Sequence, residues 1–99
     1  MILKVSVTRS KTWTINIGDY NSVKPSVSVT AHELDSGSPD FQSQVDALED
    51  FVTALFVVDA HGDLSRVKLK DASAITLRDA LKEKVEAAQE TIVAFSNLI

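Results

Sequence analysis

The residues most suited to chemistry lie in one short stretch around the second histidine of the chain. Asp59, His61 and Asp63 alternate there, and imidazole and carboxylate groups are common ligands of divalent metal ions. A metal site needs further ligands and a supporting shell of hydrogen bonds, and the neighbouring sequence offers neither. A polar helix end followed by Gly62 is therefore the favoured interpretation. A small metal-dependent enzyme is the least favoured of three functional hypotheses.

Other catalytic apparatus is not recognisable in the sequence. The chain has no cysteine, which excludes thiolate metal sites and cysteine nucleophiles, and its two histidines are His32 and His61. Its three glycines, at positions 18, 37 and 62, form neither a phosphate-binding loop nor the elbow that exposes a nucleophilic serine. We therefore predict a non-enzymatic protein that uses no cofactor and no metal.

Charge is distributed unevenly along the chain. Residues 1–31 contain four basic side chains and one acidic one, whereas residues 32–99 contain thirteen acidic and six basic ones. The side chains near the amino terminus that could contact phosphates or stack on a base are Lys4, Arg9, Lys11, Lys24 and Tyr20. Trp13 falls on the apolar side of its predicted strand, which counts against a base-stacking sheet. Single-stranded nucleic-acid binding is therefore the alternative hypothesis.

The elements that must position these residues begin with three strands. Apolar and polar side chains alternate with a period of two over residues 2–9, 12–18 and 23–31. Arg9–Lys11 would connect the first two strands as a short hairpin, and the turn formers of Gly18–Ser22 would end the second. Pro25 cannot donate a ladder hydrogen bond, so the third strand is expected at a sheet edge. The prediction is a three-stranded antiparallel meander.

Two long amphipathic helices are predicted after the strands, over residues 39–60 and 76–98. Apolar residues recur there at spacings of three and four. Ser38, which precedes a proline, is typical of a helix N-cap, and Gly62 is a natural stop. Thr76 and Asp79 resemble a capping box for the second helix. An alternation over 64–70 also allows a short extra strand. The predicted fold is one α+β domain of order βββαα.

The helices supply the surfaces expected to meet other proteins. Phe51 and Phe56 widen the apolar stripe of the first helix beyond one seam, so a homodimer formed through helices or an edge strand is predicted. Carboxylates on the same helix would suit a small acidic protein that occupies nucleic-acid sites on other proteins. The candidate protein-binding residues are Asp46, Glu49, Asp50 and Phe56.

The compartment expected from the sequence is the cytoplasm. The amino terminus enters an alternating pattern directly, without the apolar stretch of a signal peptide. The apolar runs, such as Ala54–Val58, are far shorter than the ~20 residues of a membrane span. No membrane partner is therefore predicted.

The first third of the chain resembles the opening of small phage and prophage proteins. The resemblance is carried by the threonine-containing strand Val5–Arg9, the Ile-Asn-Ile-Gly-Asp-Tyr segment that begins Ile15–Lys24, and the valine-rich strand Val27–Thr30, followed by an acidic helix. It implies a bacteriophage accessory protein that binds host or phage components in the host cytoplasm, and it transfers no catalytic residues. The leading hypothesis is therefore a non-enzymatic inhibitor or modulator of a protein partner.

Overall fold

The computed structural model describes residues 3–98 and shows an α+β fold 56 × 25 × 16 Å in extent. Position 2, where the first strand was expected to begin, lies outside the described residues. The elements, in chain order, are β1 (Lys4–Thr12), β2 (Ile15–Gly18), β3 (Asn21–Val23), β4 (Ser26–Asp35), α1 (Phe41–Arg66) and α2 (Ala72–Leu98). None of the described helices is long and apolar enough to cross a membrane.

The strands form two two-stranded sheets, and the predicted three-stranded meander is wrong. β1 pairs antiparallel with β4, and β2 pairs antiparallel with β3. Thr12 lies opposite Ser26 and Ile15 lies opposite Val23, so the two sheets follow one another in a common register. Residues 4–35 are therefore one long hairpin, which we call the β-ribbon. It is interrupted near Pro25, whose missing N–H cannot complete the ladder.

The predicted hairpin connection at residues 9–11 is also wrong, because β1 continues through it to Thr12. That segment holds no Gly, Pro, Asn or Asp, the residues that make tight turns. The chain reverses at Gly18–Asn21 instead, where Asp19 and Tyr20 have φ of 54° and 62°. Positive φ at both central residues defines a type I′ turn, whose twist matches that of the flanking strands.

Helix α1 is the central element and packs against both β1 and β4 on one side and against α2 on the other. Contact on two sides explains why its apolar stripe is wider than one seam.

Helix α1 also runs through Gly62 to Arg66, past the expected stop. A glycine inside a helix costs only about 1 kcal/mol, and the fully buried Ala60 and Leu64 on either side of it outweigh that cost.

No strand forms at 64–70, because Leu64–Arg66 belongs to α1 and residues 67–71 form the connection to α2. This connection docks on the tip of the β-ribbon: the backbone N–H groups of Lys70 and Asp71 donate to the carbonyl of Ile17 at 2.8 and 3.2 Å. The Lys70 ammonium also pairs with the Asp19 carboxylate. The apolar alternation that suggested a strand instead reflects Val67 and Leu69, which are half-buried residues of this connection.

The apolar core lies where the ribbon tip, α1 and α2 meet. Its buried members are Ile15, Phe56, Ala60, Leu64, Ala74 and Leu81, with Ile17, Val23, Val27 and Leu77 among the partly buried residues packed around them. Toward the other end of the helix pair, the rings of Phe51 and Phe95 stack with centroids 4.2 Å apart. The core therefore ties the turn of the ribbon to the turn between the helices.

The cap of α2 is Asp71 and not the predicted Thr76–Asp79 box. Oδ1 of Asp71 accepts from the N–H groups of Ser73 and Ala74, at 2.8 and 3.3 Å, and the helix begins at Ala72.

Replacing Asp71 by alanine is expected to lower the free energy of unfolding by about 1 kcal/mol, because two amide groups lose their acceptor. Urea denaturation would measure it. Thr76→Ala is the control and should have a smaller effect, since its hydroxyl donates only to the Ala72 carbonyl within the same helix.

Candidate interaction surfaces

Three of the predicted protein-binding residues share one exposed surface of α1, which we call the acidic face: Asp46, Glu49 and Asp50. Their spacing of three and four places them on one side of the helix. The buried residues Val45, Leu48 and Val52 hold the other side against the rest of the fold. The acidic face is therefore presented by a helix whose position is fixed by packing.

The carboxylates of the acidic face form no ion pairs with basic side chains of the described residues. Asp46 accepts a hydrogen bond from the Gln42 amide, at 3.0 Å between Nε2 and Oδ1. The ion pairs found within residues 3–98 join Arg66 to Asp63, Lys70 to Asp19 and Arg78 to Asp79, so none of them includes a carboxylate of the acidic face. The negative charge of the three side chains is therefore available to an incoming basic group.

The fourth predicted protein-binding residue does not lie on this surface. Phe56 is only 3% exposed and belongs to the core. Its ring meets Trp13 edge to face, with centroids 5.3 Å apart and planes at 74°. Trp13 does take the helix-facing side expected from its strand pattern, yet it remains 49% exposed at the break in the ribbon. Phe56 thus anchors the ribbon to α1 and is not accessible to a partner.

A shallow groove between the helices borders the acidic face. Asp50 and Thr53 of α1 line one wall, and Lys84 and Thr91 of α2 line the other. The floor consists of small side chains, Ala54, Ala87 and Ala88, together with Val57. Asp50 therefore belongs both to the acidic face and to a groove with an apolar floor.

The structure does not bring the predicted nucleic-acid contacts together. Lys4 has a strand position on the outer side of the ribbon, and Lys24 is exposed at the break between β3 and β4. Arg9 and Lys11 have strand positions on the helix-facing side. The Lys11 ammonium donates to the Thr53 hydroxyl at 3.4 Å. Tyr20 is fully exposed at the ribbon tip, roughly 45 Å along the ribbon from Lys4 at ~3.3 Å per residue. Nucleic-acid binding stays a prediction, with its residues on separate surfaces.

The outer side of the β-ribbon carries short polar side chains, which we call the hydroxyl face: Ser6, Thr8, Ser10, Thr12, Ser26, Ser28 and Thr30, with His32 at one end. Thr8 and Thr30 are hydrogen-bonded across the strands at 2.7 Å between their hydroxyl oxygens. Ser6 and His32 are joined at 3.1 Å between Oγ and Nδ1. The alternation of polar residues predicted this exposed side, but the partner across each rung depends on the hairpin register.

The stretch around His61 forms part of a continuous helix. Residues two apart on a helix point in different directions, so His61 diverges from Asp59 and Asp63. Asp63 pairs with Arg66 at 2.6 Å, and Nε2 of His61 lies 3.4 Å from the Ser65 hydroxyl. In the described part of the chain, no group of three or more histidine and carboxylate side chains is arranged to hold a metal ion.

Comparison of the chain with known protein families, with curated proteins and with solved structures finds no match. The surfaces relevant to function are therefore identified by exposure, spacing and charge in this chain alone. By those measures the acidic face and the open sides of the β-ribbon stand out.

Proposed function

We propose that this chain is a non-enzymatic accessory protein that modulates another protein, of phage or host origin, by binding a basic surface of it through the acidic face. The observation that carries the proposal is the exposure of Asp46, Glu49 and Asp50 on one side of α1, outside every ion pair of the described residues. The resemblance of the first third of the chain to phage and prophage proteins supports the accessory class and the host cytoplasm as its setting.

The packing of α1 supports a binding role for these carboxylates. The helix is held by the β-ribbon on one side and by α2 on the other, so its backbone needs no further ordering when a partner docks and the entropic cost falls on the side chains alone. Exposed charges of one sign accelerate association with an oppositely charged surface, and they make that association sensitive to salt. A partner presenting lysine or arginine side chains is therefore the expected target.

The groove beside the acidic face suits the shape of such a side chain. Lysine and arginine have long apolar stems that pack on apolar surface while the charged end stays near water or a counter-ion. The alanine-lined floor can take the stem, and Asp50 at the wall can take the charge. Lys84 on the opposite wall restricts the approach to the Asp50 side.

A charge-neutralising variant tests the proposal. Asp46→Asn, Glu49→Gln and Asp50→Asn combined remove three charges with little change of shape, and we expect about tenfold weaker capture of the partner from host lysate. The matched control is Glu83→Gln, Glu86→Gln and Glu90→Gln on α2, which makes the same change in net charge and should leave capture within about twofold of the original. Quantitative mass spectrometry of the captured proteins, at low and raised salt, measures both.

Two outcomes would contradict the proposal. One is a partner that both triple variants bind equally well or equally poorly, since position on the acidic face would then be irrelevant. The other is the absence of any protein captured reproducibly above a blank resin. Thermal unfolding of both variants shows whether the fold is preserved, and each is expected to unfold close to the original protein because all six side chains are exposed.

A further inference from the structure

The β-ribbon has two open edges, one along β1 and one along β4. In an antiparallel ladder, opposite residues alternate between pairs that exchange backbone hydrogen bonds and pairs that do not. Trp13 N–H donates to the Pro25 carbonyl at 3.2 Å, so the helix-facing pairs of the ribbon, such as Arg9 with Val29, are the bonded ones. The N–H and C=O groups of the hydroxyl face therefore point to the open edges.

The edge of β1 is protected against pairing. It carries Lys4, Arg9 and Lys11 and no acidic residue, and basic side chains on an edge strand discourage the approach of another strand. Arg9 also folds back along the edge, where its Nη1 donates to the Thr8 carbonyl at 3.1 Å. That carbonyl is one of the outward-pointing acceptors, so one position of the β1 edge is already occupied.

The edge of β4 has no such protection. Ser26–Ala31 contains no charged side chain, and its alternating valine, serine and threonine favour an extended strand. Pro25 ends the segment on one side. On the other, Glu33 has φ of 58° at the irregularity where the pairing shifts between Val5 and Val7. The two boundaries leave Ser26–His32 as a regular, uncharged open edge.

We propose that a second copy of this chain binds along the β4 edge, antiparallel to the first, with a two-fold axis at Val29. Ser26 of one copy then faces His32 of the other, Ser28 faces Thr30, and the two Val29 residues face each other. The two ribbons become one four-stranded sheet, β1–β4–β4–β1. This interface is separate from the acidic face and does not depend on the function proposed for it.

The segment is complementary to itself in this register. Its outward N–H and C=O groups supply up to about eight hydrogen bonds between the copies. Val27 of one copy lies beside Ala31 of the other on the helix-facing side, so the apolar stripe beneath each ribbon continues across the interface. A two-fold arrangement of this kind closes on itself, because it uses the β4 edge of both copies, and the two edges that stay open are the protected β1 edges.

Cross-linking gives the most direct test, because the chain has no cysteine of its own. Facing residues of a non-bonded antiparallel pair have Cα atoms about 4.5 Å apart, which is within the range that a disulfide spans. Val29→Cys is therefore expected to form a covalent dimer under mild oxidation. The control is Val7→Cys, which is also half-buried and helix-facing but lies on β1, and it should form no covalent dimer. Equal cross-linking of the two variants, or none at position 29, would overturn the proposal.

Solution mass provides a second test that needs no cross-link. The chain mass is 10.8 kDa, and a concentration series is expected to approach twice that value. Ser28→Pro removes an outward N–H that only the second copy uses, so it should shift the protein to a monomer. Ser10→Pro is the matched control, because Ser10 lies directly opposite Ser28 with its N–H on the β1 edge, and it should stay dimeric. A monomeric original protein, or a dimer that both proline variants retain, would contradict the proposal.

Discussion

Replacing Gly18 by alanine is expected to lower the free energy of unfolding by about 2–4 kcal/mol, a large part of the total stability of a domain of this size. Gly18 has φ of 104°, a conformation that side-chain-bearing residues rarely adopt. An added Cβ would also lie 2.7 Å from the Cβ of Lys70 and 3.3 Å from the backbone N of Asp71. The substitution therefore imposes backbone strain and a collision at the same position.

The collision would act on the contact between the ribbon turn and the turn between the helices. Lys70 and Asp71 hold the Ile17 carbonyl through their N–H groups, and the loop cannot move away from residue 18 without stretching those bonds. The chain offers a matched control at its helical glycine. Gly62→Ala adds a Cβ with an ordinary contact, 3.7 Å from Arg66 Nη2, and should stabilise the protein by about 0.5–1 kcal/mol.

Chemical denaturation of the two alanine variants measures these opposite effects. Two-state unfolding, monitored by circular dichroism, should give a lower midpoint for Gly18→Ala and a higher one for Gly62→Ala, with similar slopes. A Gly18→Ala protein as stable as the original would show that the ribbon tip does not dock on the α1–α2 connection as described.

Replacing Leu64 by alanine is expected to destabilise the protein by about 2–5 kcal/mol. Leu64 is fully buried in the core cluster, in the last turns of α1, where the ribbon tip and α2 both pack. Truncation removes apolar contacts and leaves a cavity, because the neighbouring backbones are fixed by the hairpin and the helix pair. Its effect is therefore comparable with that of Gly18→Ala, though the cause is lost packing and not strain.

The control for this prediction is the same substitution at an exposed leucine. Leu3 is 55% exposed, and Leu3→Ala should change the stability by less than about 1 kcal/mol. Urea denaturation of both variants gives the comparison. Equal effects at the two positions would refute the assignment of Leu64 to the core, as would a Leu64→Ala variant that keeps its original midpoint.

The alternating pattern in the sequence correctly predicted which strand side chains face the helices and which face outward. It did not predict which strands pair with each other. The period of two placed Trp13 on the helix-facing side and the serines and threonines outside, since alternation is a local property of an extended chain. It could not distinguish a meander from one long hairpin, because both bury the same alternate residues. That choice depends on where the chain turns, and Gly18–Asn21 is the position where a type I′ turn and the docking of the α1–α2 connection coincide.

The sequence predicted the interiors of the two helices better than the residues at which they begin and end. The Ser38 hydroxyl does accept from the Asp40 N–H, at 3.2 Å, close to the expected start of α1, although the regular helix begins at Phe41. Gly62 proved a poor stop signal because burial of its neighbours outweighs a weak local preference. Thr76 and Asp79 fit a capping pattern, yet Asp71 caps α2. The connection that docks on the ribbon tip ends at Asp71, so the helix begins about one turn before Thr76.

The sequence by itself determined the α+β class, the two long helices, the exposed carboxylates Asp46, Glu49 and Asp50, and the polar outer side of the strands, because composition and periodicity act locally. Tertiary structure alone decided that Phe56 is buried against Trp13, that the basic residues near the amino terminus lie on different surfaces, and that β4 has an uncharged open edge. These properties depend on which distant segments pack together. That packing is determined by the apolar surface that all the elements bury jointly, which no single segment of the sequence reveals.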